Sequence, residues 1–118
     1  MLRLIVLSAA VSVVVVLAVA GVAGARDHAA TATTVKVTAK EWKFALSRKS
    51  GPAGKYVFKV VNKGKTKHDF KIGGKSTPLL KPGGKATLKV TLKKGKKKYI
   101  CTVSGHAALG MKGTFKAT

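Results

Sequence analysis

From Thr34 onward, apolar and polar residues alternate with a period of two. Val35 and Val37 alternate with Lys36 and Thr38, and Trp42 and Phe44 flank Lys43. Tyr56, Phe58 and Val60 fall on one face of the next strand, with Val57, Lys59 and Val61 on the other. His68-Asp69-Phe70-Lys71-Ile72 reads as a short strand, and Leu88, Val90 and Leu92 alternate with Thr87, Lys89 and Thr91. Residues 97–102 and 113–117 complete the set. Between them stand turn signals: Gly51-Pro52-Ala53-Gly54, residues 62–66, Lys81-Pro82-Gly83-Gly84 and Lys93-Lys94-Gly95-Lys96. Roughly seven or eight short strands with turns every ~8–12 residues predict an all-β antiparallel sandwich or barrel. No stretch of this region has helical periodicity. Lysines occupy most outward positions, as a solvated sheet face requires.

The first 25 residues do not fit this pattern. Arg3 precedes an apolar run over residues 4–22, interrupted only by Ser8, Ser12 and Gly21. Ala23-Gly24-Ala25 follows, the small-x-small pattern of a signal-peptidase site. Residues 1–25 are therefore expected to be a signal peptide or a membrane anchor, since the run is nearly long enough to span a bilayer. Either way the remainder is exported: periplasmic, extracellular or cell-surface. Residues 26–33 read as a linker and 34–118 as one small domain. The 118-residue chain has 24 Lys and Arg against three acids, Asp27, Glu41 and Asp69. Losing Arg3 with the leader leaves a net charge of +20. Such a field favours solubility and anionic partners but does not bear on the fold.

Cys101 is the only cysteine. An exported domain can use it as a buried core residue or as a metal-bound thiolate. Its neighbours favour the second. Cys101-Thr-Val-Ser-Gly-His106-Ala-Ala-Leu-Gly-Met111 places thiolate, imidazole and thioether in one window at the end of a strand. His68 begins another strand. Thiolate and thioether select soft ions, imidazole suits copper, and two histidines with one cysteine and a long axial methionine form the blue-copper arrangement. Zinc favours four strong donors, which methionine is not. The window holds no carboxylate for calcium or magnesium.

These residues resemble the cupredoxins, the small blue copper proteins of the plastocyanin and azurin kind. The spacing from Cys101 to His106 is similar to azurin's, and that from His106 to Met111 is similar to plastocyanin's. Val60-Val61-Asn62 before His68-Asp69-Phe70, Leu80-Lys81-Pro82-Gly83, and Gly110-Met111-Lys112-Gly113 also look like family landmarks. The resemblance implies a Greek-key β-sandwich with one type 1 copper ion near one end. It implies equatorial ligation by His68, Cys101 and His106, axial ligation by Met111, and one-electron transfer through the exposed edge of His106. Two departures stand out. Ser104 occupies a position often held by proline, which points to a softer ligand loop. Asp69 replaces the Asn that often ties the two ligand loops together, and an ionised carboxylate can only accept hydrogen bonds.

The function expected is therefore an electron carrier, not an enzyme, with copper storage or delivery as the alternative. An acidic redox partner is expected, and the protein is expected to be a monomer. Lys67 and Lys112 adjoin proposed ligands and would recruit that partner. Lys93, Lys94, Lys96, Lys97 and Lys98 surround the turn before the Cys101 strand. Six residues of strand span ~20 Å, which places the turn at the end away from copper. There it is either a solvated turn or a tether to anionic membrane or wall polymer. No nucleic-acid partner is expected: the lysines are spread over many strands and no aromatic-basic motif appears.

Overall fold

Alternation along one strand fixes which residues can share a core, and here it does so for both sheets. The computed structural model describes residues 31–118. The predicted export segment and residues 26–30 of the predicted linker lie outside the described residues. The strands are β1 (Thr33–Lys40), β2 (Lys43–Leu46), β3 (Ser50–Gly51), β4 (Gly54–Asn62), β5 (Lys71–Ile72), β6 (Lys75–Ser76), β7 (Lys85–Leu92), β8 (Gly95–Ile100) and β9 (Lys112–Ala117). In β4, Tyr56, Phe58, Val60 and Asn62 are buried, while the residues between them are exposed or half-buried. β1 buries Val35, Val37 and Ala39, and β7 buries Leu88, Val90 and Leu92 in the same rhythm.

One sheet runs β2-β1-β4-β7 and the other β3-β9-β8-β5-β6, and their buried faces meet in one core. Among the described residues no helix is long and apolar enough to cross a membrane. The all-β sandwich is borne out. Two pairings are parallel, β1 with β4 and β3 with β9; the others are antiparallel. Side-chain alternation fixes the face of a strand but not its direction, so these two were not legible. Parallel neighbours need a crossover. Between β1 and β4 the chain passes through β2 and then β3, which belongs to the opposite sheet.

The strand expected over residues 68–72 is shorter than its pattern suggests. Only Lys71 and Ile72 pair in a ladder, while His68 forms a single bridge with Leu80. The reason is that side chains take over the bonding between them. The Phe70 amide donates to the Thr77 hydroxyl at 3.1 Å. Phe70 itself is fully buried at the centre of an aromatic cluster. Its ring centroid lies 5.1 Å from Phe44, 5.4 Å from Phe58 and 5.5 Å from Tyr99. Each such pair adds about 0.5–1.5 kcal/mol beyond area burial. This cluster anchors the chain two residues after His68. Lys93 and Lys94 precede β8 and lie a strand length from Cys101, whereas Lys96, Lys97 and Lys98 belong to β8 itself, because the strand starts at Gly95 and the lysine run climbs along it toward Cys101.

Candidate metal centre

Three segments converge at the end of the sandwich where β4 and β8 finish. The first carries His68. Asn62, fully buried, donates through Nδ2 to the carbonyls of Thr66 and Leu80, both at 2.8 Å, and accepts from the Gly64 amide through Oδ1 at 2.8 Å. One amide side chain thereby fastens the loop at 63–67 to the segment that bridges His68. His68 donates to and accepts from Leu80 through its backbone, at 3.1 and 2.8 Å.

The second segment is the loop from Cys101 to Met111. The Cys101 amide donates to the Met111 carbonyl at 3.0 Å, the Met111 amide to the His106 carbonyl at 3.1 Å, and the His106 amide to the Val103 carbonyl at 3.0 Å. These bonds close the loop on itself and brace it despite Ser104. Gly105 and Gly110 have φ of 84° and 124°, a region that favours glycine. Gly110 also abuts the third segment, the β1–β2 turn, where an added Cβ would come within 2.9 Å of the Trp42 carbonyl oxygen.

The side chains of His68, Cys101 and His106 meet, with their ligand atoms all within 4.8 Å of one another. His68 Nδ1 is 3.1 Å from His106 Nδ1, Cys101 Sγ is 3.6 Å from His106 Nδ1, and Cys101 Sγ is 4.0 Å from His68 Nδ1. Metal bonds of ~2.0–2.1 Å to nitrogen and ~2.3 Å to sulfur, arranged trigonally, put donors ~3.6–3.8 Å apart. The triangle is therefore of the right size. Two imidazole nitrogens aimed at each other at 3.1 Å also need a cation or a proton between them. His68, Cys101 and Met111 are buried, and His106 is half-buried. Met111, fully buried, is bonded through its backbone to both Cys101 and His106.

Two acids frame these donors. Asp69 accepts the Thr102 amide at 2.6 Å through Oδ1 and the Thr102 hydroxyl through Oδ2. The Asp that replaces the expected Asn thus does tie the His68 segment to the Cys101 loop, using acceptors alone. Burial pushes the Cys101 thiol up from its ordinary value, and the Asp69 charge adds to this against the pull of backbone hydrogen bonds. The second acid is Glu41, whose Oε1 accepts from the amides of Lys65 and Thr66 at 2.6 and 2.7 Å and from the Thr66 hydroxyl at 3.0 Å. It also faces His68 Nε2 at 3.2 Å. Burial pushes the Glu41 carboxyl up, but these backbone and hydroxyl donors together outweigh it and bring it down to about 2.

Comparison with known proteins agrees with this geometry. A family model described as a cupredoxin-like domain matches residues 10–114. The chain belongs to the cupredoxin family. Among solved structures it is similar to auracyanin B, at 25% identity and a TM-score of 0.66, covering 74% of this chain and 89% of that one. It is also similar to a dithionite-reduced auracyanin from Roseiflexus castenholzii, at 23% identity and TM-score 0.63, over 74% of this chain and 98% of that one. Auracyanin A of Chloroflexus aurantiacus, a blue copper protein, gives 21% identity and TM-score 0.56, over 75% and 100%. No curated protein matches the chain significantly.

In this cupredoxin the donors fit copper. A soft thiolate, two imidazoles presenting Nδ1 and a methionine beside them form a type 1 set. The four residues singled out in the sequence lie together at one end of the fold. Sequence reasoning missed Glu41, Trp42 and Gly64, which support the site from outside, and marked Asn62 as a landmark without its role in fastening the loop. The Trp42 ring stands 4.9 Å from His106 and 6.3 Å from His68, both edge to face. The one available signal was the scarcity of acids: two of only three in the chain are here.

Proposed function

We propose that this cupredoxin is an exported carrier of single electrons, with copper held by His68, Cys101 and His106 and with Met111 as the weak axial donor. The observation that carries this reading is the convergence of the two Nδ1 atoms and Sγ at separations of 3.1 to 4.0 Å beneath a closed loop. Copper bound there supplies a one-electron couple. The protein holds the donors fixed, so that the same geometry serves both oxidation states and little reorganises on transfer. His106 is the only one of the four with a half-exposed side chain, so a partner approaches there. Trp42, Leu79 and Leu109 are the large apolar side chains exposed among the described residues. Trp42 packs against His106 and Leu109 follows it in the same loop, so the two offer an apolar contact, and Lys67 and Lys112, next in sequence to His68 and Met111, serve an acidic partner.

Delivery of copper to another protein is the alternative use of such a site. The burial of His68, Cys101 and Met111 favours retention, since handing the ion over requires an incoming ligand to reach it. Export rests on residues 1–25 of the sequence. The test is to add Cu²⁺ to the full-length chain and record the visible spectrum. An intense band from thiolate-to-copper charge transfer, lost in Cys101→Ser, is expected. Bound copper without colour, or colour that survives the substitution, sinks the assignment.

A further inference from the structure

Glu41 is far from the ligands in sequence, yet its carboxylate lies against the outer nitrogen of a buried one. His68 has no solvent exposure, so water cannot supply a partner for Nε2. Two groups do reach it: Glu41 Oε1 at 3.2 Å and Thr66 Oγ1 at 3.4 Å. The Thr66 hydroxyl spends its proton on Glu41 Oε1. A carboxylate can only accept. The contact is therefore attractive only if His68 carries its proton on Nε2, which leaves the Nδ1 lone pair directed at Cys101 and His106.

We propose that Glu41 is a positioning residue for the metal centre: it fixes the tautomer and ring orientation of His68 and strengthens Nδ1 as a donor, so that the reduction potential is held down. The proposal rests on the copper reading above. Carboxylate–histidine–metal relays act in this way, because a ligand hydrogen-bonded to an anion is more basic and favours the more highly charged ion.

A second observation shows that the contact is built in. Gly64 has no positive φ in need of glycine; its constraint is space. A Cβ there would stand 2.5 and 2.6 Å from the two carboxylate oxygens of Glu41. The same carboxylate is clamped by the Lys65 and Thr66 amides, so it cannot swing aside without breaking them. Loop 63–67 is thus folded around Glu41, and Glu41 is aimed at His68. This is the one contact within salt-bridge distance found among the described residues, and it joins a carboxylate to a proposed metal ligand rather than to any of the many lysines.

The test uses the full-length chain with three variants, Glu41→Gln, Glu41→Asp and Gly64→Ala. In the copper-free wild type, ¹⁵N chemical shifts of the His68 ring should report the Nε2–H tautomer. In Glu41→Gln the Nδ1–H form should appear alongside it. With copper, the Cu(II):Cu(I) affinity ratio should fall about tenfold or more in Glu41→Gln. Each tenfold raises the reduction potential by about 59 mV for a one-electron couple. Glu41→Asp keeps the charge but shortens the reach, and Gly64→Ala keeps every side chain but crowds the carboxylate away. Both should shift tautomer and potential in the same direction as Glu41→Gln. A potential in Glu41→Gln equal to wild type within error overturns the proposal. So does a wild-type His68 with its proton on Nδ1, or a Glu41→Asp that matches wild type, which would reduce Glu41 to a distant charge. A wild type that binds no copper, with the tautomer as expected, overturns the copper reading instead.

Discussion

Replacing Asp69 separates two things its carboxylate does: joining two loops and placing a charge near Cys101. Asp69→Ala removes both acceptors used by Thr102, one for the amide and one for the hydroxyl. Hydrogen bonds to charged groups contribute about 1.5–3 kcal/mol each when buried. Asp69 is nearly buried but Thr102 is exposed and can recover some bonding from water, so about 1 kcal/mol per bond is the better figure, or about 2 kcal/mol for both. For a domain of this size that lowers the melting temperature by about 8–16 °C. Asp69→Asn should behave differently. Its Oδ1 still accepts the Thr102 amide, and its NH₂ can donate to the hydroxyl oxygen after that rotor turns. The expected loss is under about 1 kcal/mol. The potential should rise in both variants, because both lose a negative charge close to the thiolate. The assay is thermal unfolding of the copper-free full-length chain, followed by near-ultraviolet circular dichroism, with voltammetry on the copper-loaded protein. Equal destabilisation in the two variants would refute the loop-tie argument, since only the charge would then matter. No destabilisation in Asp69→Ala would refute it as well, because water would be shown to replace the tie.

Met111→Leu should keep copper, colour and the fold, at under about 1.5 kcal/mol for a near-isosteric core exchange, while the potential rises; an unchanged potential, read by voltammetry, would make Met111 a packing residue alone. Reversing Lys67 and Lys112 to Glu should slow electron transfer to an acidic partner and flatten its salt dependence. Reversing Lys94, Lys96 and Lys97 should not, since they lie more than a Debye length of ~8 Å from the site; stopped-flow rates across a salt series compare the two. Acid should release the loop at 63–67: the Glu41 carboxyl is held below its ordinary 4.5, at about 2, so its stabilisation is present above pH 4.5 and is lost as pH falls toward 2. Trp42 fluorescence reports this, and a flat signal over that range contradicts it. At the alkaline end, Cys101, Tyr56 and Tyr99 are raised above their ordinary 9.0 and 10.0, with burial the largest cause, so the copper-free protein should lose stability as pH rises past those values. Raising NaCl from about 0.01 to 0.1 M shortens the Debye length from ~30 to ~10 Å and should raise the melting temperature; a fall would show that salt breaks more attraction than repulsion.

Much of the fold was legible because a sandwich is written in period two. Tyr56, Phe58 and Val60 declare a face, and the structure buries that face. The ligands were legible because Cys101, His106 and Met111 are close in sequence and chemically distinct from everything around them. What was hidden depends on the third dimension. The direction of β1 against β4 leaves no trace in either strand's alternation. The bridge of His68 to Leu80 depends on Asn62, a residue that reads as one more turn asparagine until its three side-chain bonds are seen. Glu41 lies 27 residues before His68, a separation that no spacing rule covers. Gly64 reads as a turn glycine, while its actual constraint is the carboxylate beside it.

The placement of charge ties these observations together. Residues 31–118 contain 22 basic side chains and two acids, Glu41 and Asp69. Glu41 accepts from Lys65 and Thr66 and faces His68, and Asp69 accepts from Thr102, so both carboxylates stand beside the candidate metal centre. Lysines meanwhile face lysines across strands: Lys36 opposite Lys59, Lys40 opposite Lys43, and Lys96 opposite Lys116. Like charges directly opposite are destabilising, where opposite charges would contribute about 0.2–1 kcal/mol per pair. A sequence shaped for stability alone would set its acids in those positions. Here they stand where each closes a loop around a ligand, and the sheet surfaces are left with a positive field that nothing in the described domain neutralises. The field extends over the whole molecule, whereas the geometry that binds the metal is local. The acids serve the second and leave the first unbalanced among the described residues.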